Sequence, residues 1–478
     1  MDNFIDLLQD FIEWGFLIYS VAVFSTYLLL ALISAIALSN YIKKNKYADL
    51  GAILTSPLAP SISILAPAYN ESKTIIENAR SLLSLHYEDF EVIIINDGSK
   101  DDTLRKMINE YDMVPVDFAV NYEIGCKPIV GIYKSNNKAF SKLILVDKVN
   151  GGKADALNAG INVSSKRLFT TIDVDCIIEY DGLLKMVKPF LEENDKKVIA
   201  AGGVVRVANS CEIEDGRIKN VGLPKELLPR FQVIEYFRAF ILGRMAWSKL
   251  NGLLLISGAF GMFDREIAVK AGGYNPMTVG EDMELVVRMR RYMHDNNLGK
   301  YEVSFIPDPL CWTEVPASLK ILGRQRNRWT RGTIDTLLMH KVMFFNPKYG
   351  KMGMLSFPYW VFFEWFAAYV EFFGYVYFFI LLALGKINIL FFVSLFLFVY
   401  SFSVMFSMFA FLFEEISFYQ YKKKSDIVKL ILTAMIEPVI YHPLVVFWGI
   451  RGNYDYFLKG KKDWGEMTRK GFGKKPVT

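Results

Sequence analysis

Residues 170–178 read TTIDVDCII, a β-branched run that is interrupted by two aspartates. The part that ends at Asp173 has the composition of a buried parallel strand. Side chains at positions i and i+2 of extended backbone point to the same side, so Asp173 and Asp175 should face one site. Adjacent carboxylates repel each other unless a cation neutralises them, and such oxygen ligands suit Mg²⁺ or Mn²⁺. The alternative is a pair of carboxylates that water solvates.

Similar runs precede this one and alternate with helical patterns. The predicted strands are SISILAP (61–67), EVIIIND (91–97), KLILVDK (142–148) and RLFTTID (167–173). The predicted helices lie near 72–84, 101–111, 153–163 and 181–193. This alternation predicts an α/β domain with an open, mostly parallel sheet and a nucleotide-type site at the carboxyl ends of its strands. Residues 112–141 and 206–230 are polar and are predicted to be loops.

Two polar motifs follow predicted strands. In IIINDGSKDDT, Asp97 ends a strand and precedes a turn at Gly98. It could accept hydrogen bonds from a nucleotide base or ribose, or it could cap a helix that begins near Asp101. In VNGGKADALNAGI, two glycines precede Lys153 and a small-residue helix. This arrangement suits a phosphate, although the P-loop spacing is missing and a solvated lysine after a glycine turn is the alternative.

Charged residues mark two later helices. VGEDMELVVRM places Glu281 and Asp282 in a first turn, where acids commonly stabilise a helix and where a carboxylate could also act as a general base. GRQRNRWTRG, at 323–332, surrounds Trp329 with arginines just before an apolar block. A membrane-surface anchor would have this composition. A diphosphate site would instead use Arg328 as a bidentate ligand and Trp329 as a flat face for a sugar ring. The flanking arginines are interpreted as surface anchors: Arg324, Arg326 and Arg331.

Composition and hydropathy predict a membrane protein. Hydrophobic residues make up 52% of the 478 residues and charged residues only 22%, so part of the chain is expected in lipid. Residues 14–42 carry no charge and are long enough to span a bilayer. Lys43 and Lys44 follow them, which predicts a cytosolic location for the next segment. The net charge of +5 is modest and gives no reason to expect a nucleic-acid ligand.

A second apolar block covers roughly 352–450. Residues 366–384 and 387–413 are predicted to span the membrane, and 352–365 to form an amphipathic helix at its surface. The segment 430–450 is a weaker candidate for a span, because polar residues and prolines interrupt it. Lys422–Lys424 and the basic tail are both predicted to be cytosolic, which requires that 430–450 re-enters or lies flat, or that the charge rule fails here. The cysteines are far apart and are interpreted as reduced thiols in a cytosolic compartment: Cys126, Cys176, Cys211 and Cys311.

Taken in order, the motifs resemble those of family 2 inverting glycosyltransferases with a GT-A fold. Within that family the chain is similar to membrane-embedded processive synthases of cellulose, chitin oligosaccharides, hyaluronan and poly-N-acetylglucosamine. The motifs are PAYNES (67–72), NDGSKDDT (96–103), NGGKADALN (150–158), DVD (173–175), SGAFG (257–261), GED (280–282) and QRNRW (325–329). Each motif is weak alone, and the ordered set between two membrane blocks is specific.

The resemblance implies a role for each matching residue. On the donor side it implies Tyr69 and Glu71 at uracil, Asp97 at the uridine, Lys153 against the nucleotide, and Asp173 with Asp175 at a metal-bound diphosphate. Gln325 and Arg328 would also bind the nucleotide sugar, with Arg328 facing the pyrophosphate. On the acceptor side it implies Asp282 as the catalytic base and Glu281 and Trp329 as acceptor-binding residues. The implied cofactor is Mg²⁺ or Mn²⁺.

The implied function is polymerisation of a UDP-sugar, either UDP-N-acetylglucosamine or UDP-glucose, into an extracellular β-linked polysaccharide. The expected partners are the UDP-sugar, the growing polysaccharide and the lipid bilayer, with room for accessory secretion or regulatory subunits. The expected location is the plasma membrane, with a cytosolic catalytic domain. The predicted domains are a membrane helix at 1–46, the catalytic domain at 60–340, channel-forming helices at 341–450 and a basic cytosolic tail at 451–478.

Two alternatives stay open at this level. A single-transfer enzyme that acts on a lipid acceptor would carry most of the same motifs, and a non-catalytic nucleotide-sugar-binding assembly partner would share the fold. The chain also departs from cellulose synthases. It has no FxVTxK sequence after residue 340 and no recognisable cyclic-dinucleotide-binding domain after the membrane block, which puts that mode of regulation in doubt.

Overall fold

The computed structural model describes residues 2–46, 50–174, 176–192, 195–214 and 216–461. The strands are β1 (Ile62–Ala68), β2 (Phe90–Asp97), β3 (Met113–Pro115), β4 (Ile129–Ser135), β5 (Leu143–Lys148), β6 (Leu168–Ile172), β7 (Cys176–Ile178), β8 (Lys197–Val207), β9 (Glu212–Glu214), β10 (Arg217–Asn220), β11 (Phe260–Asp264) and β12 (Tyr301–Thr313). All four predicted strands are present, as β1, β2, β5 and β6.

The helices follow in chain order. They are α1 (Asp2–Asn45), α2 (Leu50–Leu54), α3 (Ile75–Leu83), α4 (Thr103–Glu110), α5 (Lys153–Val163), α6 (Gly182–Leu191), α7 (Leu227–Phe237), α8 (Met245–Lys249), α9 (Arg265–Lys270), α10 (Glu281–Asp295), α11 (Leu319–Met339), α12 (Phe357–Tyr359), α13 (Ala367–Ala383), α14 (Ile389–Phe418), α15 (Lys424–Ile440) and α16 (His442–Phe457). Three π-helical segments join them: Arg238–Arg244, Met352–Ser356 and Trp360–Trp365. The four predicted helices correspond to α3, α4, α5 and α6.

Ten strands form one sheet in the order β3-β4-β5-β2-β1-β6-β11-β8-β12-β7. The central strands β5, β2, β1 and β6 are parallel, and β1 pairs with β2 from Ile62–Phe90 to Ala68–Asn96. Strands β4, β11 and β7 run against their neighbours. The prediction of an open, mostly parallel α/β sheet is therefore confirmed. Because parallel strands end at the same edge, the polar residues after β2 and β6 are brought to one side of the domain.

The two predicted loops are partly wrong. Residues 112–141 contain β3 and β4, and 206–230 contain the hairpin of β9 and β10 and the start of α7. Strand β4 extends the sheet antiparallel to β5 with most of its residues partly exposed, so it lacks the continuous apolar run of a central strand. The β9–β10 hairpin forms its own two-stranded sheet, with side chains that are exposed or half-buried.

The apolar helices before and after the sheet pack together. Three helices in the described part of the chain are long and apolar enough to cross a membrane: Leu7–Asn45, Met352–Ala383 and Ile389–Phe418. The second of these helices, Met352–Ala383, contains both 352–365 and most of the predicted span at 366–384. Residues 352–365 are therefore part of that continuous helical segment, and they do not form the separate surface helix that was predicted. The pair α15 and α16 is bent by 46° and would supply a fourth span or a re-entrant loop. Helix α1 packs on α14 through stacked aromatic rings, and the ring centroids of Phe24 and Phe402 are 4.2 Å apart.

Candidate active site

The turn at 150–152 is held by the carboxylate of Asp97, at the end of β2. Lys148 Nζ and the Gly151 N–H donate to Oδ1 at 2.7 and 2.9 Å, and the Gly152 N–H and Asn150 Nδ2 donate to Oδ2 at 2.8 and 3.1 Å. These bonds fix the peptide groups that lead into α5. The idea that Asp97 caps the next helix is wrong, because its carboxylate binds this turn instead. Its predicted contact with uridine stays a prediction.

The PAYNES loop is bound to the loop that follows β2. The Asn70 N–H donates to Ser99 Oγ at 3.0 Å, and the Ser72 N–H donates to Asp101 Oδ2 at 3.1 Å. Asn70 adopts a left-handed φ of 58°, which asparagine tolerates better than most residues. Tyr69 is 44% exposed beside Glu71 on the wall of a large cavity. The two loops therefore form one cradle, as a base-binding role for Tyr69 and Glu71 would need.

Lys153 connects the donor and acceptor sides of the predicted site. Its Nζ lies 2.5 Å from Asp173 Oδ1 and 3.7 Å from Glu281 Oε1. Burial alone would lower the pKa of Lys153, but the charges of Asp173 and Glu281 raise it above its ordinary value. The lysine is therefore a permanent cation where the sheet meets α10. This position is suited to a diphosphate group.

The predicted metal pair is only partly visible. Asp173 lines the cavity with 26% of its side chain exposed, whereas Asp175 lies outside the described residues. Within the described ranges no group of three or more His, Cys, Asp and Glu side chains could hold a metal ion. A carboxylate oxygen on the cavity wall is the donor type that Mg²⁺ and Mn²⁺ prefer, so Asp173 fits the expected cation.

Asp282 is the second residue of α10 and lines the same cavity. Its Oδ2 accepts the Gly258 N–H at 3.0 Å, and its Oδ1 accepts the Met283 N–H at 2.8 Å. A Cβ atom on Gly258 would lie 3.1 Å from Lys153 Nζ and 3.3 Å from Asp282 Oδ2. The glycine of SGAFG thus leaves room for the lysine and the aspartate to approach the same point. The predicted base is held by a backbone donor and is close to the predicted phosphate ligand.

Glu281 is 3% exposed, and burial raises its pKa to about 7, with Lys153 opposing the shift. The folded protein therefore binds this proton more tightly than the unfolded chain does. Protonated Glu281 therefore stabilises the folded protein. This stabilisation is complete below the ordinary pKa of 4.5 and is lost as the pH rises towards 7.

We expect Glu281→Gln to stabilise the protein at pH 8 more than at pH 5, by at most about 3 kcal/mol. Unfolding midpoints of both proteins at the two pH values measure the difference. Equal stabilisation at both pH values would show that Glu281 does not titrate in this range.

Helix α11 brings four of the five QRNRW residues to this cavity. Gln325, Arg328 and Trp329 line it together with Asp282, and the charge of Arg328 acts on Glu281. Trp329 is 39% exposed and presents a flat apolar surface there. The structure therefore brings together all the predicted site residues that it describes. Their individual roles stay predictions.

Two of the neighbouring arginines are not surface anchors. Arg326 is buried, and its guanidinium donates to Glu235 and to the hydroxyl of Tyr441 while lying 4.4 Å above the Trp329 ring. Arg331 is also buried and donates from Nη1 to the Lys461 carbonyl at 2.9 Å. The interpretation of both as anchors was wrong, because α11 packs against α10 and α16, and Arg326 pairs with Glu235 of α7. Arg324 is exposed, as an anchor would be.

A close contact of two glycines joins α10 to α11. A Cβ on Gly332 would lie 2.7 Å from Gly280 Cα, and a Cβ on Gly280 would lie 2.7 Å from Gly332 Cα. This contact brings the start of α10, which carries Asp282, against the helix that carries the QRNRW side chains. Sequence reasoning missed Gly332. The only local hint of its role was its position directly after Arg331, at the end of GRQRNRWTRG.

One cavity of about 1430 Å³ contains the whole constellation and continues between the apolar helices. Asp97 and Asp173 line its sheet end, and Phe402 and His442 line its far end. The cavity therefore runs from the strand ends to the candidate membrane helices. Its wall also includes side chains that sequence reasoning did not select: Arg238, Arg244, Trp247, Tyr359, Glu364 and Glu437.

A protein-family model described as "Glycosyltransferase like family 2" matches residues 59–332, more than half of the chain. The chain belongs to glycosyltransferase family 2. The family 2 match contains every motif from PAYNES to QRNRW, and it confirms the resemblance inferred from those motifs.

Two bacterial synthases are similar to this family 2 chain. Poly-beta-1,6-N-acetyl-D-glucosamine synthase of Staphylococcus epidermidis is 30% identical over 279 residues, which cover 58% of this chain and 55% of that protein. The synthase of the same name from Staphylococcus aureus is 30% identical over 278 residues, with the same coverage. The chain thus spans about half the length of the curated relatives it matches.

Among solved structures, a mannosyltransferase from Pyrobaculum calidifontis in complex with GDP-Man and Mn²⁺ is 14% identical. It aligns over 92% of this chain and 100% of its own, with a TM-score of 0.47.

Proposed function

We propose that this chain is an inverting, processive β-glycosyltransferase that polymerises UDP-N-acetylglucosamine and passes the product through its own membrane helices. The observation that carries the proposal is the cavity, a single void whose lining includes Asp173 and Asp282 of the catalytic domain and Phe402 and His442 of the apolar helices. A growing chain that is extended at one end of such a cavity can leave through the other. The names of the two staphylococcal relatives support N-acetylglucosamine over glucose.

The donor half of the site provides the groups that a nucleotide diphosphate needs. Tyr69 offers an aromatic face for the base, beside Glu71 and the turn that Asp97 holds. Lys153 and Arg328 supply positive charge for the diphosphate. Asp173 would hold the divalent cation with Asp175, and a bound cation would neutralise charge on the departing UDP.

The reaction is a direct displacement at the anomeric carbon of the donor sugar. Asp282 accepts the proton of the acceptor hydroxyl, the acceptor oxygen bonds to the anomeric carbon, and the bond to the UDP oxygen breaks. The configuration inverts, so an α-linked donor yields a β-glycoside. Lys153 and Arg328 stabilise the charge that develops on UDP. The Gly258 N–H keeps the carboxylate of Asp282 oriented towards the cavity.

The domain plan and the location belong to the same proposal. Residues 60–340 are the cytosolic catalytic domain, 1–46 are the first membrane helix, 341–450 form the channel and 451–478 are a cytosolic tail. Helix α16 extends to Phe457, beyond the end of the channel segment, and packs on α11 where Asn327 Nδ2 donates to Asp455 Oδ2 at 2.9 Å. This contact supports direct coupling between the active site and the channel. Accessory secretion or regulatory subunits would bind outside this unit.

The test uses the full chain in lipid vesicles with UDP-N-acetylglucosamine and Mg²⁺ or Mn²⁺. We expect UDP release and a polymer that accumulates on the far side of the bilayer, protected from added glycosidase. UDP-glucose and UDP-glucuronate serve as comparison donors. Absence of turnover with all three donors would refute the proposal. A product that carries only one added sugar on a lipid would favour the single-transfer enzyme.

Trp329→Ala is expected to shorten the polymer and to lower its rate of synthesis about tenfold or more. An aromatic face that stacks on a sugar contributes roughly 1–3 kcal/mol, by analogy with base stacking. UDP binding and membrane association should persist, because Trp329 lies on the acceptor side. Product size on a gel and calorimetry with UDP measure the two effects. Loss of membrane association with normal polymer would favour the anchor role instead.

A further inference from the structure

Arg244 and Trp247 each place on the cavity wall a buried hydrogen-bond donor that has no partner among the described residues. The donor atoms are Nη1 of Arg244 and Nε1 of Trp247. The Trp247 side chain is itself only 8% exposed. The two residues are three positions apart, at the junction of the π-helical segment with α8, so they share one helix face. A buried donor without an acceptor is unfavourable, which suggests that a ligand supplies the acceptor.

Packing fixes both side chains in place. A Cβ on Gly252 would lie 2.7 Å from Trp247 Cε3 and 3.1 Å from Cζ3, so the six-membered ring faces the backbone of Gly252. The edge that carries Nε1 is therefore on the other side of the indole. The Tyr359 ring packs against Trp247 with centroids 5.0 Å apart, and the Arg244 guanidinium lies 4.1 Å above the Phe240 ring. The donors are pre-organised.

The pair lies where an acceptor sugar would bind. The acidic groups whose charges act on Arg244 are Asp282 at the start of α10 and Glu364 in a candidate membrane helix. Arg244 is therefore near both the candidate base and the membrane part of the cavity, and all three residues line it. An acceptor whose hydroxyl reaches Asp282 and that continues towards the channel would pass close to this pair.

The chemistry of the pair selects among acceptors. Arginine and the indole N–H donate hydrogen bonds and accept none. A sugar hydroxyl also needs an acceptor for its own hydrogen, whereas a carbonyl oxygen accepts two bonds and donates none. A carboxylate would be a third anion around one guanidinium, beside Asp282 and Glu364, and would be repelled. The best match is a neutral carbonyl oxygen.

We propose that Arg244 and Trp247 form an acceptor subsite that binds the acetamido carbonyl oxygen of the growing chain. The subsite rests on the proposed function and specifies how an N-acetylated acceptor would be recognised. Both residues are specificity-determining, because they would touch the acceptor but no reacting atom.

The test measures UDP release from UDP-N-acetylglucosamine by the full chain with short primers. One primer is N-acetylated and its partner is the same oligosaccharide after de-N-acetylation. Trp247→Phe keeps the ring that packs against Gly252 and removes the N–H. We expect it to raise KM for the N-acetylated primer about tenfold and to leave KM for the other primer unchanged. Arg244→Lys should also raise the KM for the N-acetylated primer relative to the KM for the other primer, because the positive charge stays and the planar pair of N–H donors is lost.

Trp312→Phe is the matched control. Trp312 is buried and donates to Glu179 Oε1 at 2.7 Å, and neither of these two residues lines the cavity, so its replacement should leave the ratio of the two KM values unchanged. Equal changes for both primers, or no change in either variant, would overturn the subsite and leave the proposed function standing. If the protein without substitutions released no UDP from UDP-N-acetylglucosamine, both the subsite and the proposed function would be overturned.

Discussion

Asp282→Asn is expected to lower polymer synthesis by roughly 10²–10⁴-fold, the usual contribution of a general base. The amide cannot take the proton of the acceptor hydroxyl at neutral pH. Its oxygen can still accept the Gly258 N–H that binds Asp282 at 3.0 Å, so the start of α10 should keep its position. The change therefore removes the proton acceptor and preserves the geometry around it.

Rates of UDP release and of polymer formation measure this effect, and calorimetry with UDP shows whether the donor site persists. Asp295→Asn, at the other end of α10, is the matched control, since Asp295 pairs with Lys348 and Arg291 away from the cavity. If the Asp282 variant kept more than about a tenth of the activity, another group would have to act as the base.

Gly332→Ala is expected to have the second largest effect. Its Cβ would lie 2.7 Å from Gly280 Cα and 2.8 Å from Gly280 N, and backbone atoms cannot rotate away as a flexible side chain can. Helices α10 and α11 would have to separate, which overpacking data suggest costs about 1–3 kcal/mol. A displacement of about 1 Å between Asp282 and Arg328 would lower the rate roughly 10²-fold.

The unfolding midpoint and the rate of UDP release are the two measurements. Gly15→Ala is the control, because a Cβ on that helical glycine in α1 meets no atom within 4 Å. It should leave both quantities nearly unchanged. A Gly332→Ala protein with normal stability and normal rate would show that the two helices can adjust, and that their contact does not set the active geometry.

Local pattern was enough to predict the parallel centre of the catalytic domain, strands β1, β2, β5 and β6 with helices α3 to α6. The apolar runs that end at Asp97 and Asp173 are the parallel strands β2 and β6, because a strand buried on both faces needs a continuous apolar run. The small residues after Lys153 form the buried helix α5. Strand β4, IVGIYKS, contains strand-favouring Ile, Val and Tyr, and it was missed because this short, partly exposed run lies inside a largely polar stretch.

The site could be predicted only as a set of residues. Asp173, Asp282 and Arg328 were selected from motifs that are more than forty residues apart, and nothing in their spacing gave their separation in space. Composition also misled at Arg326 and Arg331. Arginines before an apolar block usually anchor at a membrane surface, but here both are buried in contacts with distant residues.

Sequence patterns alone were sufficient for the four central parallel strands, the apolar helices and the residue types of a nucleotide-sugar site. These depend on periodicity and on neighbours along the chain. Only the tertiary structure decided that Gly280 meets Gly332, that the cavity reaches the membrane helices, and that Arg244 and Trp247 present donors to it. Each of these is a contact or a void between elements far apart in sequence. Their energies depend on close packing in three dimensions, which no local pattern records.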